Sequence, residues 1–183
     1  KICILTSKTL TGSVKGAIQT LIIKTHRGNM VSWQSLTFNE LTNHQLFDLL
    51  KLRVDVFVVE QNCAYPELDE KDRHPQTHHL MGFQNNKLVA CARLLGEGVS
   101  YPSVSIGRVA TSEGFRGKGA GKALMREAIN HCEVLWPGCD IEIGAQEYLK
   151  RFYESFGFEA TSTMYLEDDI PHIDMKRLSR HKV

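Results

Sequence analysis

The sequence is short of several things. No apolar run in its 183 residues approaches the roughly 20 needed to cross a bilayer, so a membrane span is not expected. No charge of one sign dominates: 22 lysines and arginines face 21 aspartates and glutamates. General binding to nucleic acid or to a membrane surface needs a large basic excess, and neither partner is expected. There is no Cys-x-x-Cys pair. Cys3, Cys63, Cys91, Cys132 and Cys139 are an odd set, several of them inside apolar patterns. Free thiols in a reducing compartment are the simplest account, and a cytoplasmic location is expected. His74, His78 and His79 invite a metal reading, but no second cluster with ligand spacing accompanies them, and no metal is expected. There is no internal repeat and no low-complexity tract.

Acidic residues are also missing from the first part of the chain. Residues 1–29 carry Lys1, Lys8, Lys15, Lys24 and Arg27, and the first carboxylate is Glu40. A targeting leader, an upstream translation start or a cloning remnant would each read this way, and Met30 is a natural start. The segment is therefore set aside, and 30–183 are expected to form a single domain with a substantial core.

From Val31 the elements follow in order. Val31-x-Trp33-x-x-Leu36-x-Phe38 reads as a strand. Thr42-x-x-Gln45 has the spacing of a capping box and opens a helix that ends near Glu60, with Leu46, Leu49, Leu50, Val54 and Phe57 expected toward the core. A long acidic surface loop, 61–76, comes next; loops of this length are often functional. Two β-rich runs, 78–84 and 87–95, flank Asn85-Asn86 as a tight hairpin. A strand over 105–111 leads into a glycine-rich loop, and a helix then runs to Pro137-Gly138. The chain closes with a strand (140–144), a helix (147–156) and two strands (158–166 and 173–178). The sum is an α/β sandwich on a mixed sheet.

The glycine-rich loop is Arg116-Gly117-Lys118-Gly119-Ala120-Gly121. Its glycines let backbone approach a ligand closely, and the following helix turns unpaired N–H groups toward it, an arrangement suited to phosphate oxygens. Arg116 and Lys118 add positive charge. A Walker A loop would need Ser or Thr after Gly-Lys, and a dinucleotide fingerprint would need a different last interval. The Arg-x-x-Gly-x-Gly spacing instead resembles the pyrophosphate signature of the GNAT superfamily of N-acetyltransferases. A second motif, Tyr153-Glu-Ser-Phe-Gly157-Phe158, is similar to the segment that in this superfamily sets a tyrosine beside the cofactor's sulfur.

The resemblance implies an acyl-CoA N-acyltransferase fold, in which the central parallel strands, the fourth and fifth counted from Val31, splay apart around the pantetheine of CoA. It implies acetyl-CoA as co-substrate and an amine of a small molecule or peptide as acceptor. Residues Val109, Ala110, Thr111, Arg116, Gly117, Lys118, Gly119, Ala120, Gly121 and Gln146 are then expected at the cofactor, with the Val109 N–H facing the thioester oxygen. Tyr153 is expected to protonate the departing thiolate, since a phenol keeps its proton at neutral pH. The amine needs a base, for which Glu142 and His79 are the leading candidates, with Glu60 and His172 beside them.

Finer resemblance lies in Arg53-Val-Asp-Val-Phe57-Val-Val-Glu60, in Tyr65-Pro-Glu67-Leu-Asp69-Glu-Lys-Asp72, and in Ala92-Arg93-Leu94. With Gly107-Arg108-Val109-Ala110 and Ile170-Pro171-His172, these are similar to the ElaA-type branch from Met30 to about Leu178. Arg53, Phe57, Asp69, Asp72 and Arg93 also keep the order found in acyl-homoserine-lactone synthases. Cys63 stands where that family has an aromatic, and the intact loop favours CoA. A CoA-binding regulatory module without turnover is the non-enzymatic alternative. Homodimers are common in the superfamily, and the resemblance allows one here.

Overall fold

A computed structural model describes residues 21–22, 31–117 and 119–179. Expectations for the rest of the N-terminal segment and for Lys118 lie outside the described residues. One mixed sheet of nine strands organises the chain: β1 (Leu21–Ile22), β2 (Val31–Leu36), β3 (Thr77–Gln84), β4 (Lys87–Leu95), β5 (Val104–Thr111), β6 (Ile141–Gln146), β7 (Glu159–Ala160), β8 (Tyr165–Glu167) and β9 (Ile170–Arg177). Their order is β1-β2-β3-β4-β5-β6-β9-β7, with β8 also paired to β9. Only β5 and β6 run parallel; the other pairs are antiparallel.

Local chemistry sets the element ends. Asn85 and Asn86 both take positive φ, at 50° and 59°, as a two-residue hairpin turn requires, and asparagine tolerates this better than most residues. The Thr42 hydroxyl accepts from the Gln45 N–H at 3.2 Å while the Gln45 side chain accepts from the Thr42 N–H at 3.0 Å. This box starts α1 (Asn43–Val54), which runs on as a π-helical turn over Asp55–Glu60. Helix α2 (Ala120–Leu135) ends before Pro137-Gly138, as expected.

The helices cover both faces of the sheet. Leu49, Leu52 and Val56 pack with Met81, Cys91 and Ala110 on one face. Leu124, Ala128 and Cys132 of α2, with Tyr153 of α3 (Lys150–Glu154), pack with Leu80, Leu94, Ile106 and Ile143 on the other.

Three expectations are corrected. On α1 the buried residues are Leu49, Leu52 and Arg53, while Leu46, Leu50, Val54 and Phe57 are only half-buried. The helix is rolled so that Arg53 points inward to carboxylates. The 61–76 loop is not wholly superficial: it contains a 3₁₀ turn, Glu70–Arg73, and it buries Glu67 and Asp72 against Arg53. Finally, the strand expected over 158–166 divides into β7 and β8, and β8 turns back into β9 through Asp168 and Asp169, both at positive φ.

Candidate active site

β5 and β6 pair only at Val104–Ile141 and Ser105–Glu142. Beyond these points each strand continues with its outer neighbour, β4 or β9, and a gap opens between them. Near the mouth of the gap the β4–β5 register passes from Arg93–Gly107 to Cys91–Ala110, so Arg108 and Val109 together stand opposite Ala92. This is a β-bulge, with Arg108 in the left-handed region at φ 50°. It inverts the strand's alternation: Val104 and Ile106 face the α2 side, whereas Ala110 faces α1. The extra residue disrupts the ladder beside a cavity of about 330 Å³ lined by Gly107, Arg108 and Val109.

The loop after β5 is built on two glycines of positive φ, Gly117 at 84° and Gly119 at 89°. A Cβ at Gly117 would meet nothing within 4 Å, so its requirement is conformational and its surroundings are open. Gly119 caps α2, whose first turn, with Ala120 and Gly121, leads away from the loop. The Arg116 guanidinium donates from Nε and Nη2 to the Thr111 carbonyl at 3.1 and 2.9 Å, and its Nη2 pairs with Glu60 at 2.6 Å. An open glycine backbone, a helix start and an arginine fit a diphosphate. Any anion drawn to Arg116 competes with Glu60.

Tyr153, Val109, Leu149 and Gln146 line the same cavity. Burial pushes the Tyr153 hydroxyl well above the usual phenol range, so it holds its proton. Across the cavity, the His172 Nδ1–H donates to the Ile170 carbonyl at 2.8 Å, which leaves Nε2 as the basic nitrogen, 3.9 Å from Glu167.

A second arrangement stands behind the cavity wall. Arg53, 1 % exposed, binds Glu67 at 2.5 Å and Asp72 at 2.6 Å. Arg93 joins Asp69 and Asp72 at 2.7 and 2.8 Å, and Arg108 pairs with Glu67 at 2.7 Å. The Tyr65 hydroxyl donates to Glu67, and the Arg108 guanidinium lies over the Tyr65 ring. Three guanidinium groups thus meet three carboxylates, and the network is neutral.

This geometry finds its counterpart among known proteins. The family description "Acetyltransferase (GNAT) domain" matches residues 48–179. Over 148 residues the chain is 45% identical to Protein ElaA of Escherichia coli (strain K12), covering 81% of this chain and 97% of that one. The chain belongs to the GNAT superfamily, in its ElaA-type branch. The crystal structure of Escherichia coli ElaA matches it with a TM-score of 0.76 at 44% identity, covering 81% of this chain and 99% of that one. An acyl-CoA N-acyltransferase from Pseudomonas aeruginosa matches with a TM-score of 0.77 at 43% identity, covering 80% and 99%. The splayed strands are those of GNAT acyl-CoA N-acyltransferases.

The GNAT cavity brings together Val109, Gln146 and Tyr153, but not every residue expected beside them. Glu142 and His79 line no part of it. Glu142 lies where β5 and β6 still pair, and its Oε1 accepts from the Ser103 N–H at 3.3 Å and from Lys176 at 3.4 Å. His79, 1 % exposed, donates from Nε2 to the Asp72 carbonyl at 2.9 Å, and burial lowers its basicity. His74 and His78 diverge from it: the His74 ring accepts from the Gln76 N–H, and His78 meets the edge of Trp136. Of the four base candidates, only His172 lines the cavity. Tyr101, Ser105, Tyr165 and Asp174 went unrecognised in the sequence. The available signals were a strand glycine, Gly144, and a polar residue at every second position of β9.

Proposed function

We propose that the chain is an acetyl-CoA-dependent N-acetyltransferase acting by direct transfer to an amine of a small molecule or peptide. The observation that carries this reading is the convergence of Val109, in the β5 bulge, and Tyr153 on one cavity between splayed strands. Acetyl-CoA supplies an activated acyl carbon and a thiolate leaving group. Gly117, Gly119 and Arg116, with the first turn of α2, would hold its diphosphate, and Val109 and Ala110 would present main-chain groups to its pantetheine arm. Gln146 would border that arm from β6.

The amine nitrogen forms a bond to the acyl carbon as the C–S bond breaks. The Val109 N–H would face the acyl oxygen as negative charge gathers there. Tyr153 gives its proton to the sulfur, a role suited to a phenol that burial keeps protonated. His172 Nε2 takes the proton whose loss makes an ammonium nucleophilic, and the second proton, shed by nitrogen as the amide forms, restores the Tyr153 hydroxyl. The network around Arg53 is internally neutralised, so it braces the cavity wall and does not attract a cation. Thiol release from acetyl-CoA in the presence of primary amines tests the reading. Amine-dependent release is expected; CoA binding without release for any amine points to a regulatory module instead.

A further inference from the structure

At the wall of the cavity formed by β6 and β9, and just behind it, stand groups that donor chemistry leaves unused. Gly144 pairs with Asp174 in the β6–β9 register. The Asp174 Oδ1 accepts two phenol hydrogens, from Tyr101 at 2.8 Å and from Tyr165 at 2.9 Å. Gly144 leaves this spot bare: a Cβ there would lie 2.9 Å from the Tyr101 oxygen, 3.4 Å from the Tyr165 oxygen and 3.7 Å from Asp174 Oδ1. Two phenol oxygens therefore converge over one exposed stretch of backbone, and Tyr101 and Gly144 both line the cavity.

The hydrogen-bond inventory decides what they can bind. Each phenol has a single proton, and each has given it to the carboxylate. Lone pairs are what remain on both oxygens. Burial, with the Asp174 hydrogen bond, raises the Tyr101 hydroxyl and takes Tyr165 up to about 12, so neither gives up that proton at neutral pH. Among the described residues, no lysine or arginine pairs with Asp174; Lys176, two residues on, is held by Asp140 and Glu142. Ser105 also lines the cavity, and the residue is 2 % exposed. Its hydroxyl oxygen is buried without a hydrogen-bond partner among the described residues.

We propose that Tyr101, Tyr165 and Asp174, set around Gly144, form the subsite that holds the acceptor as a protonated primary alkylamine. A cluster of acceptor atoms carrying one uncompensated negative charge is complemented by an N–H donor that is positively charged. This rests on the N-acetyltransferase reading, because it assigns the place of that reaction's second substrate.

Titration calorimetry of the full chain with butylamine, 1,4-diaminobutane and neutral butanol tests it. Both amines are expected to bind, butanol is not, and amine affinity is expected to fall about tenfold or more in Asp174→Asn. Gly144→Ala, which sets a methyl against the Tyr101 oxygen, is expected to do the same, and it carries the test if circular dichroism shows Asp174→Asn misfolded. Equal amine affinity in wild type and variants overturns the proposal, as does butanol binding as tightly as butylamine or the failure of both amines to bind. Thiol release in the same samples separates the two readings. Amines that bind through Asp174 without any release refute the transferase and leave the subsite standing. Release that is indifferent to both substitutions refutes the subsite and leaves the transferase standing.

Discussion

Single residues divide between a proposed proton donor and a brace. Tyr153 is buried, lines the cavity and keeps its proton, so Tyr153→Phe removes one acid and little else. Its kcat is expected to fall about a hundredfold, within the usual range for a lost general acid, while CoA affinity measured by equilibrium titration stays close to wild type. An unchanged kcat removes Tyr153 from the mechanism. Arg53 has the opposite character, since its hydrogen-bond and ion-pair partners among the described residues are Glu67 and Asp72 and it is 1 % exposed. Arg53→Met leaves two buried carboxylates short of a partner, and urea denaturation is expected to show a loss of about 3–5 kcal/mol. Tyr153 was legible from a local motif. The inward turn of Arg53 was not, because an arginine on a helix gives no sign of which distant carboxylates will meet it.

At the scale of elements, the buried loop and the glycine-rich loop each lead to an expected outcome. Burial alone would raise the Asp72 carboxyl, but hydrogen bonds and charge from Arg53, with the charge of Arg93, hold it at about 2. An aspartate in the unfolded chain titrates near about 3.9, so on acidification the unfolded state takes up this proton first. The stabilisation is complete above roughly pH 4 and is lost as pH falls toward 2. Denaturation midpoints followed from pH 6 downward are expected to drop across that window, and Asp72→Asn is expected to flatten the drop. In the glycine-rich loop, Gly117 stands at φ 84° in open space. Gly117→Ala therefore acts through backbone strain of about 1–2 kcal/mol and not through a clash, and a several-fold loss of CoA affinity by equilibrium titration is expected. The hairpin at Asn85-Asn86, the capping box at Thr42 and the end of α2 were readable because each depends on a few neighbouring side chains. The β8–β9 hairpin was hidden: its turn is Asp168-Asp169, and an acidic pair reads as a solvated stretch until both residues are seen at positive φ.

For the whole molecule, the mixed sheet and its flanking helices followed from element order, and the glycine-rich loop is where the donor is proposed to sit. The acceptor side could not be read in the same way. It is assembled from the segment before β5, from β6 and from β8–β9, so Tyr101 and Asp174 are 73 residues apart in the chain yet hydrogen-bonded. Glu142 and His79 were candidate bases because Glu142 was expected near the splayed strands and His79 on a strand beside the acceptor cleft. The closed end of the splay engages the first, and the Asp72 carbonyl holds the second. The described residues contain no helix long and apolar enough to cross a membrane. The most direct measurement is mass spectrometry of butylamine and 1,4-diaminobutane after incubation with the purified protein and acetyl-CoA, with free thiol followed in parallel. N-acetylated amine formed in step with thiol, and much more slowly by Tyr153→Phe, is the expected result. CoA bound tightly while every amine is recovered unmodified would contradict it.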